Sequence, residues 1–216
     1  MKKIAIQVPI KFKPSERIHN KNFIDLAGKP FYSWHLDRLS KAPKSWDIYI
    51  DSESDDVFKL INKKYKRFKF HKREKEYAEN WANGNHLLQQ FAILNPKYDI
   101  YCQSFITAVN LELETIKKAI EYFLKNNKND SLFFVTKETG WVWYNNMPVN
   151  YKHNIPDGLP RSQDANYFKE TTGFYMIKKD SLIKYGTRIG KNPIMYEIPE
   201  SEAFDIDVQN DIIKIL

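Results

Sequence analysis

The sequence predicts an α/β fold: a doubly wound, mainly parallel sheet with helices on both faces. Three observations carry that expectation. Short apolar runs recur at 3–8, 47–51, 67–71, 98–104 and 131–136. Segments of helical character separate them, at 30–40, 54–65, 82–94 and 112–125, with two more at 180–186 and 208–215. The connections between them are short, and such strand–helix alternation favours parallel strands joined by crossover helices. No internal repeat or low-complexity linker divides the 216 residues, so one domain over 1–216 is expected.

Along the chain, Lys3-Ile4-Ala5-Ile6-Gln7-Val8 reads as the first strand. It runs into a loop from Pro9 to Asn22 that carries Lys11, Lys13, Arg17 and Lys21. A basic loop between the first strand and first helix of an α/β chain is where phosphates are usually cradled. The glycines of a P-loop or a dinucleotide fingerprint are absent. After the Ala27-Gly28-Lys29-Pro30 turn, Phe31, Trp34, His35 and Arg38 follow the i, i+3, i+4 spacing of a helix face. Ligands of such a sheet lie beyond the carboxyl ends of its strands, which places the Pro9 to Asn22 loop and the Gln103 to Thr107 segment at the site.

One stretch breaks the alternation. Trp141, Trp143, Tyr144 and Tyr151 surround an Asn145-Asn146 pair, and Asn154, Pro156, Asp157 and Gly158 follow as turn residues. This predicts a hairpin arm over 140–161, rich in large apolar side chains that a second surface should cover.

The remaining composition narrows the class. Hydrophobic residues make up 42% and aromatics 15% of the chain, which argues against disorder. No run approaches the ~18–20 apolar residues that cross a bilayer, and no apolar signal core follows Met1-Lys2-Lys3. The single cysteine, Cys102, sits in an apolar run and reads as a buried structural thiol. A cytoplasmic location is expected. The formal charge is +7, with a basic aromatic run at Lys63 to Arg73. That run is better explained by a helix end and a strand than by nucleic-acid binding, while the basic field attracts anionic substrates.

Near the C-terminus, Asp205-Ile206-Asp207 reads as a strand end with both carboxylates on one face and Ile206 turned to the core. Two such carboxylates repel unless a cation sits between them, and an all-oxygen pair suits Mg²⁺.

Five stretches, in this order, resemble the sugar-nucleotide cytidylyltransferases that activate 3-deoxy-2-keto acid sugars, the acylneuraminate type with its legionaminate, pseudaminate and Kdo relatives. They are Pro9 to Asn22, Ala27 to Pro30, Gln103 to Val109, Pro160-Arg161-Ser162-Gln163-Asp164 with Glu170 to Tyr175, and Asp205 to Asp207. The resemblance implies a nucleotide-diphospho-sugar transferase-like fold. It implies a homodimer in which the 140–161 arm crosses to complete the partner's sugar site. The chemistry implied is attack of the sugar's anomeric hydroxyl on the α-phosphate of CTP, with release of pyrophosphate.

Residue roles follow from the same resemblance. Pro9, Lys11, Ser15, Arg17, Lys21, Asn22, Arg73 and Gln103 are candidates for the nucleotide, with Lys21 also catalytic. Thr107, Arg161, Gln163 and Gly173 are candidates for the acidic sugar, and either Gln103 or Thr107 takes the central substrate contact. Asp205 and Asp207 are catalytic and hold Mg²⁺. The chain departs from the family pattern where Ile10-Lys11 replaces Ala-Arg, since lysine keeps the charge and loses the bidentate fork. A nucleotidyltransferase using another triphosphate or a sugar phosphate would not need the Arg161–Gln163 pair. A non-catalytic dimeric binding protein would not need the two aspartates.

Overall fold

A computed structural model describes residues 2–12 and 21–206. In chain order it comprises β1 (Ile4–Pro9), a small hairpin of β2 (Asp25–Leu26) and β3 (Lys29–Pro30), α1 (Phe31–Leu39), β4 (Trp46–Ser52), α2 (Asp55–Asn62) and β5 (Lys69–Lys72). There follow α3 (Gly84–Leu94), β6 (Ile100–Ser104), α4 (Leu113–Lys125), β7 (Ser131–Thr139) and the arm strands β8 (Trp143–Tyr144) and β9 (Met147–Pro148). The fold closes with β10 (Asn166–Lys178), α5 (Lys179–Tyr185) and β11 (Pro193–Glu197).

Seven strands form one sheet in the order β11-β7-β10-β6-β1-β4-β5. All neighbours are parallel except β10, which runs antiparallel to both β6 and β7. Apolar residues on both faces of β1 are why helices cover both faces, as in parallel sheets generally. Ile4, Ile6 and Val8 pack in a core with Phe31 and Leu36 of α1, Val57 of α2 and Ile116 of α4. Ala5 faces the other way, into a core with Leu88 and Phe91 of α3 and Leu182 of α5. The predicted doubly wound, mainly parallel sheet is therefore the observed one.

Two strands of the seven-stranded sheet lie outside the expected set. β10 alternates poorly because most of residues 166–170 are exposed, and its polar start hides the buried run Phe174 to Ile177. β11 opens on a proline at the sheet edge and is only half-buried. β10 also carries an irregularity: Glu170 pairs Val135 and Tyr175 pairs Phe133, so five steps on β10 oppose two on β7. The chain bulges at Thr171 to Phe174.

The arm follows its sequence closely. Asn145 and Asn146 both adopt left-handed φ, 48° and 61°, as a two-residue hairpin loop requires. Trp143 (54% exposed), Tyr144 (71%), Met147 (59%) and Val149 (64%) project from the body. Trp141 donates its indole N–H to the Pro160 carbonyl at 3.1 Å, tying the arm's two ends together.

Candidate active site

The end of β1 opens onto a cleft of about 340 Å³ lined by Pro9, Lys11, Lys21, Asn22, Arg73 and Thr107 among others. Pro9 ends the strand, and Lys21 and Asn22 lie in a 3-10 turn at Lys21–Phe23. Asn22 Nδ2 donates to the Lys11 carbonyl at 2.7 Å. Ser15 and Arg17 fall outside the described residues. Arg73 is buried, with Nε donating to Asp51 Oδ1 at 2.6 Å and Nη2 to the Asp51 carbonyl at 2.8 Å. A guanidinium so desolvated is fixed in direction by its partner.

A second cavity, about 420 Å³, is lined by Glu138, Lys169, Glu170, Thr172, Glu200 and Asp205 among others. The segment 203–206 links it to the first cleft. Ile206 donates its N–H to the Thr107 carbonyl at 3.2 Å, and its own carbonyl accepts from Lys21 Nζ at 2.8 Å. Glu202 anchors the same segment to the start of α4, accepting from the Glu112 N–H and the Thr115 hydroxyl, both at 3.0 Å.

The expected strand end at Asp205 is not there. Residues 203–206 are irregular and follow a 3-10 turn at Glu200–Glu202, because the neighbouring hydrogen-bond partners come from Thr107 and Lys21 rather than from a strand. Ile206 is nonetheless fully buried, as the sequence implied, while Asp207 lies outside the described residues. The Thr172 hydroxyl, in the β10 bulge, donates to Asp205 Oδ2, and Oδ1 is buried with no hydrogen-bond partner among the described residues. A buried carboxylate oxygen left unmatched is one ligand that Mg²⁺ could use, while among the described residues no group of three or more His, Cys, Asp or Glu side chains could hold a metal.

Other candidates fall elsewhere. Gln103 is completely buried and does not line the cleft at the end of β1; its amide donates to Gln7 Oε1 at 2.8 Å and the Gly84 carbonyl at 3.0 Å. Gly173 is buried too, and a Cβ there would lie 3.1 Å from Ala108 and 3.3 Å from Leu111, so its role in the subunit is close packing. Arg161 and Gln163 are exposed on the arm and line neither cavity. Arg161 is held by Asp164, Nε to Oδ2 at 2.7 Å.

Three residues that the sequence reading passed over sit under the site: Gln7, Asp51 and Arg188. A lone glutamine inside the run Ile4 to Val8 was the available signal, since a polar residue on a buried strand must be satisfied. Cys102 is fully buried and burial pushes its thiol up, as an inert structural thiol requires. His35, also buried, bonds Ser104 Oγ through Nε2 at 2.8 Å. Burial, with Arg38 nearby, lowers it to about 3.

Residues 13–215 match the family model described as Cytidylyltransferase. The chain is 28% identical over 206 residues to an N-acylneuraminate cytidylyltransferase of Oncorhynchus mykiss, which aligns 91% of this chain with 46% of that protein; the chain thus spans about half of that relative's length. It is 24% identical over 213 residues to a pseudaminic acid cytidylyltransferase of Campylobacter jejuni, covering 92% of this chain and 88% of the relative. Among solved structures, a CMP:2-keto-3-deoxy-manno-octonic acid synthetase complexed with CTP has a TM-score of 0.72 at 15% identity, covering 99% and 96% of the two chains. A 4-diphosphocytidyl-2C-methyl-D-erythritol synthase from Anaerococcus prevotii has 0.64 at 16%, covering 99% and 94%. Both of these likenesses concern the fold.

Proposed function

Since the chain belongs to the cytidylyltransferase family, we propose that it transfers CMP from CTP to the anomeric hydroxyl of a 3-deoxy-2-keto acid sugar, of nonulosonic acid or Kdo type. The observation that carries this reading is the adjacency of the two cavities. One is a cleft with Lys11 and Lys21 at the carboxyl end of β1, and the other contains Asp205. The short segment ending at Ile206 joins them.

In this reading the triphosphate lies against Lys11 and Lys21, whose charges offset those of the phosphates. The acceptor occupies the Asp205 cavity and presents its hydroxyl to the α-phosphorus. The new P–O bond forms in line as the bond to pyrophosphate breaks, and the chain contributes chiefly position and charge. Asp205, with Asp207, would hold Mg²⁺, which when bound supplies charge neutralisation and lowers the pKa of a coordinated hydroxyl.

A keto-acid sugar brings its own carboxylate into a cavity where Lys169 is the lining cation beside Glu138, Glu170, Glu200 and Asp205. Arg161 and Gln163, carried on the exposed arm, would grip that carboxylate from a second subunit. The exposed Trp143, Tyr144 and Met147 favour such a two-fold dimer, because burying each large side chain contributes roughly 2–3 kcal/mol. Among the described residues no helix is long and apolar enough to cross a membrane.

A pyrophosphate-release screen tests the proposal, pairing CTP, UTP, ATP and GTP with a panel of keto-acid sugars and Mg²⁺. CTP with a nonulosonic acid or Kdo should turn over. Turnover only with another triphosphate, or only with a sugar phosphate, would replace this reading.

A further inference from the structure

Between residues that line the two cavities runs a row of polar groups, buried from Tyr175 and Gln103 to Arg73 and half-buried at Arg188. Tyr175 of β10, Gln103 of β6 and Gln7 of β1 are direct register partners across the sheet. The Arg188 guanidinium lies 3.6 Å from the Tyr175 ring centroid and donates from Nη1 to Gln103 Oε1 at 3.2 Å. Gln103 Nε2 donates to Gln7 Oε1 at 2.8 Å, and Gln7 Nε2 donates in turn to Asp51 Oδ2. The other oxygen of Asp51 accepts from Arg73 Nε at 2.6 Å. Each amide uses its second N–H on α3, Gln103 on the Gly84 carbonyl at 3.0 Å and Gln7 on the Leu87 carbonyl at 2.9 Å.

The two ends of this row belong to different cavities. Arg73 lines the nucleotide cleft. At the other end Glu170, which lines the Asp205 cavity, accepts the Tyr175 hydroxyl and lies 3.9 Å from Arg188 Nη2. From Arg188 the donors run through Gln103 and Gln7 to Asp51, which Arg73 meets from the other side, so neither amide can turn without stranding a buried neighbour. Gly84 leaves the room this needs, because a Cβ there would sit 2.3 Å from Arg188 Nη1 and 2.9 Å from Gln103 Oε1. Arg188 also fixes α3 directly, its backbone N–H donating to Asn85 Oδ1 at 3.0 Å.

We propose that Arg188, Gln103 and Gln7 form a positioning relay that sets the direction of Arg73 and the 78–82 wall of the nucleotide cleft from the acceptor side of the sheet. The inference rests on the proposed function for its kinetic consequence only. Arg188 acts through its neighbours, so its loss should be felt in nucleotide affinity more than in turnover.

The test uses the full chain with Arg188→Met, and with Arg188→Lys as a milder change that keeps the charge but not the fork. Arg188→Met should raise the KM for CTP about fivefold, at the low end of coupling between linked sites, with kcat changed by less than about twofold. Amide exchange over 73–82 in the nucleotide-free protein should accelerate at the same time, and Arg188→Lys should move both readouts the same way by less. Exchange over 73–82 and a KM for CTP both equal to wild type would overturn the relay, as would a loss confined to kcat. The exchange measurement needs no nucleotide. A wild-type chain that transfers no CMP would therefore refute the proposed function, while exchange over 73–82 still decides the relay.

Discussion

The Lys21 ammonium and the Ile206 carbonyl meet at 2.8 Å, so a residue near the end of the basic loop holds the segment that carries Asp205. One cation thereby lines the cleft at the end of β1 and holds in place the segment that carries the acid. Lys21→Ala should raise the KM for CTP roughly tenfold and lower kcat as well, since a charge-assisted bond contributes about 1.5–3 kcal/mol. Steady-state kinetics with each substrate varied in turn decides this. An effect seen only in the acceptor KM would contradict it.

Asp205→Asn should keep the Thr172 bond, because the amide oxygen still accepts from the hydroxyl, while removing the negative charge. We expect kcat to fall about 100-fold or more, with a melting temperature within about 2 °C of wild type. A variant that retains more than roughly a tenth of the wild-type rate at saturating Mg²⁺ would refute the role given to this carboxylate.

Trp143 is more than half exposed on the arm, edge-on to Tyr151 at 6.0 Å between ring centroids. Trp143→Asp should give a soluble monomer with weakened acceptor affinity and near-normal CTP binding. Light scattering at micromolar protein reads the first outcome and ligand titrations the second. A wild-type chain that is monomeric at that concentration would remove the basis for partner-supplied Arg161.

His35 makes stability depend on pH in a definite direction. Its folded pKa of about 3 lies below the unfolded value of 6.5, so between the two the unfolded chain binds the extra proton. Stability from this residue is complete above pH 6.5 and declines as pH falls toward 3, by at most about 1.4 kcal/mol per pH unit. His71 is lowered by burial and contributes with the same sign. Asp37, partly buried yet held at about 2 by hydrogen bonds from Lys64, Tyr65 and Lys29, gives stability that is complete above about pH 4 and is lost as pH falls toward 2, so it adds no slope between pH 6.5 and 4.5. Denaturant melts between pH 6.5 and 4.5 should show a shallower slope for His35→Gln than for wild type, and equal slopes would exclude the assignment.

The sheet was legible where short runs are mostly apolar, as in β1, β4 and β6, because burial on both faces leaves little polar alternation to confuse them. The arm turn was legible because paired asparagines tolerate left-handed φ. β10 was not, since its polar first half and buried second half follow different rules within one strand. Lys11, Lys21 and Asn22 were legible from the basic loop and Arg73 only through the family resemblance, and all four line one cleft. The strand assigned to Asp205 failed because hydrogen bonds from residues about 100 and 185 positions away shape that segment. Arg188 sits in an unremarkable Thr-Arg-Ile stretch, and only the register of β6 against β1 and β10 reveals what it reaches.

The bulge at Thr171 to Phe174 divides β10 into a distal half, paired with the outer end of β7, and a proximal half inside the sheet. The arm and the Asp205 cavity are therefore segments of one continuous ribbon with a joint between them. Residues can be added or lost at the arm's tip, beyond Thr139 and before Asn166, without shifting any pairing in the sheet. A single insertion between Thr171 and Phe174 would instead move Thr172 off Asp205 while leaving the arm intact. Such a protein would keep its exposed arm and would have lost the hydroxyl that anchors Asp205, so the two ends of one strand can change independently.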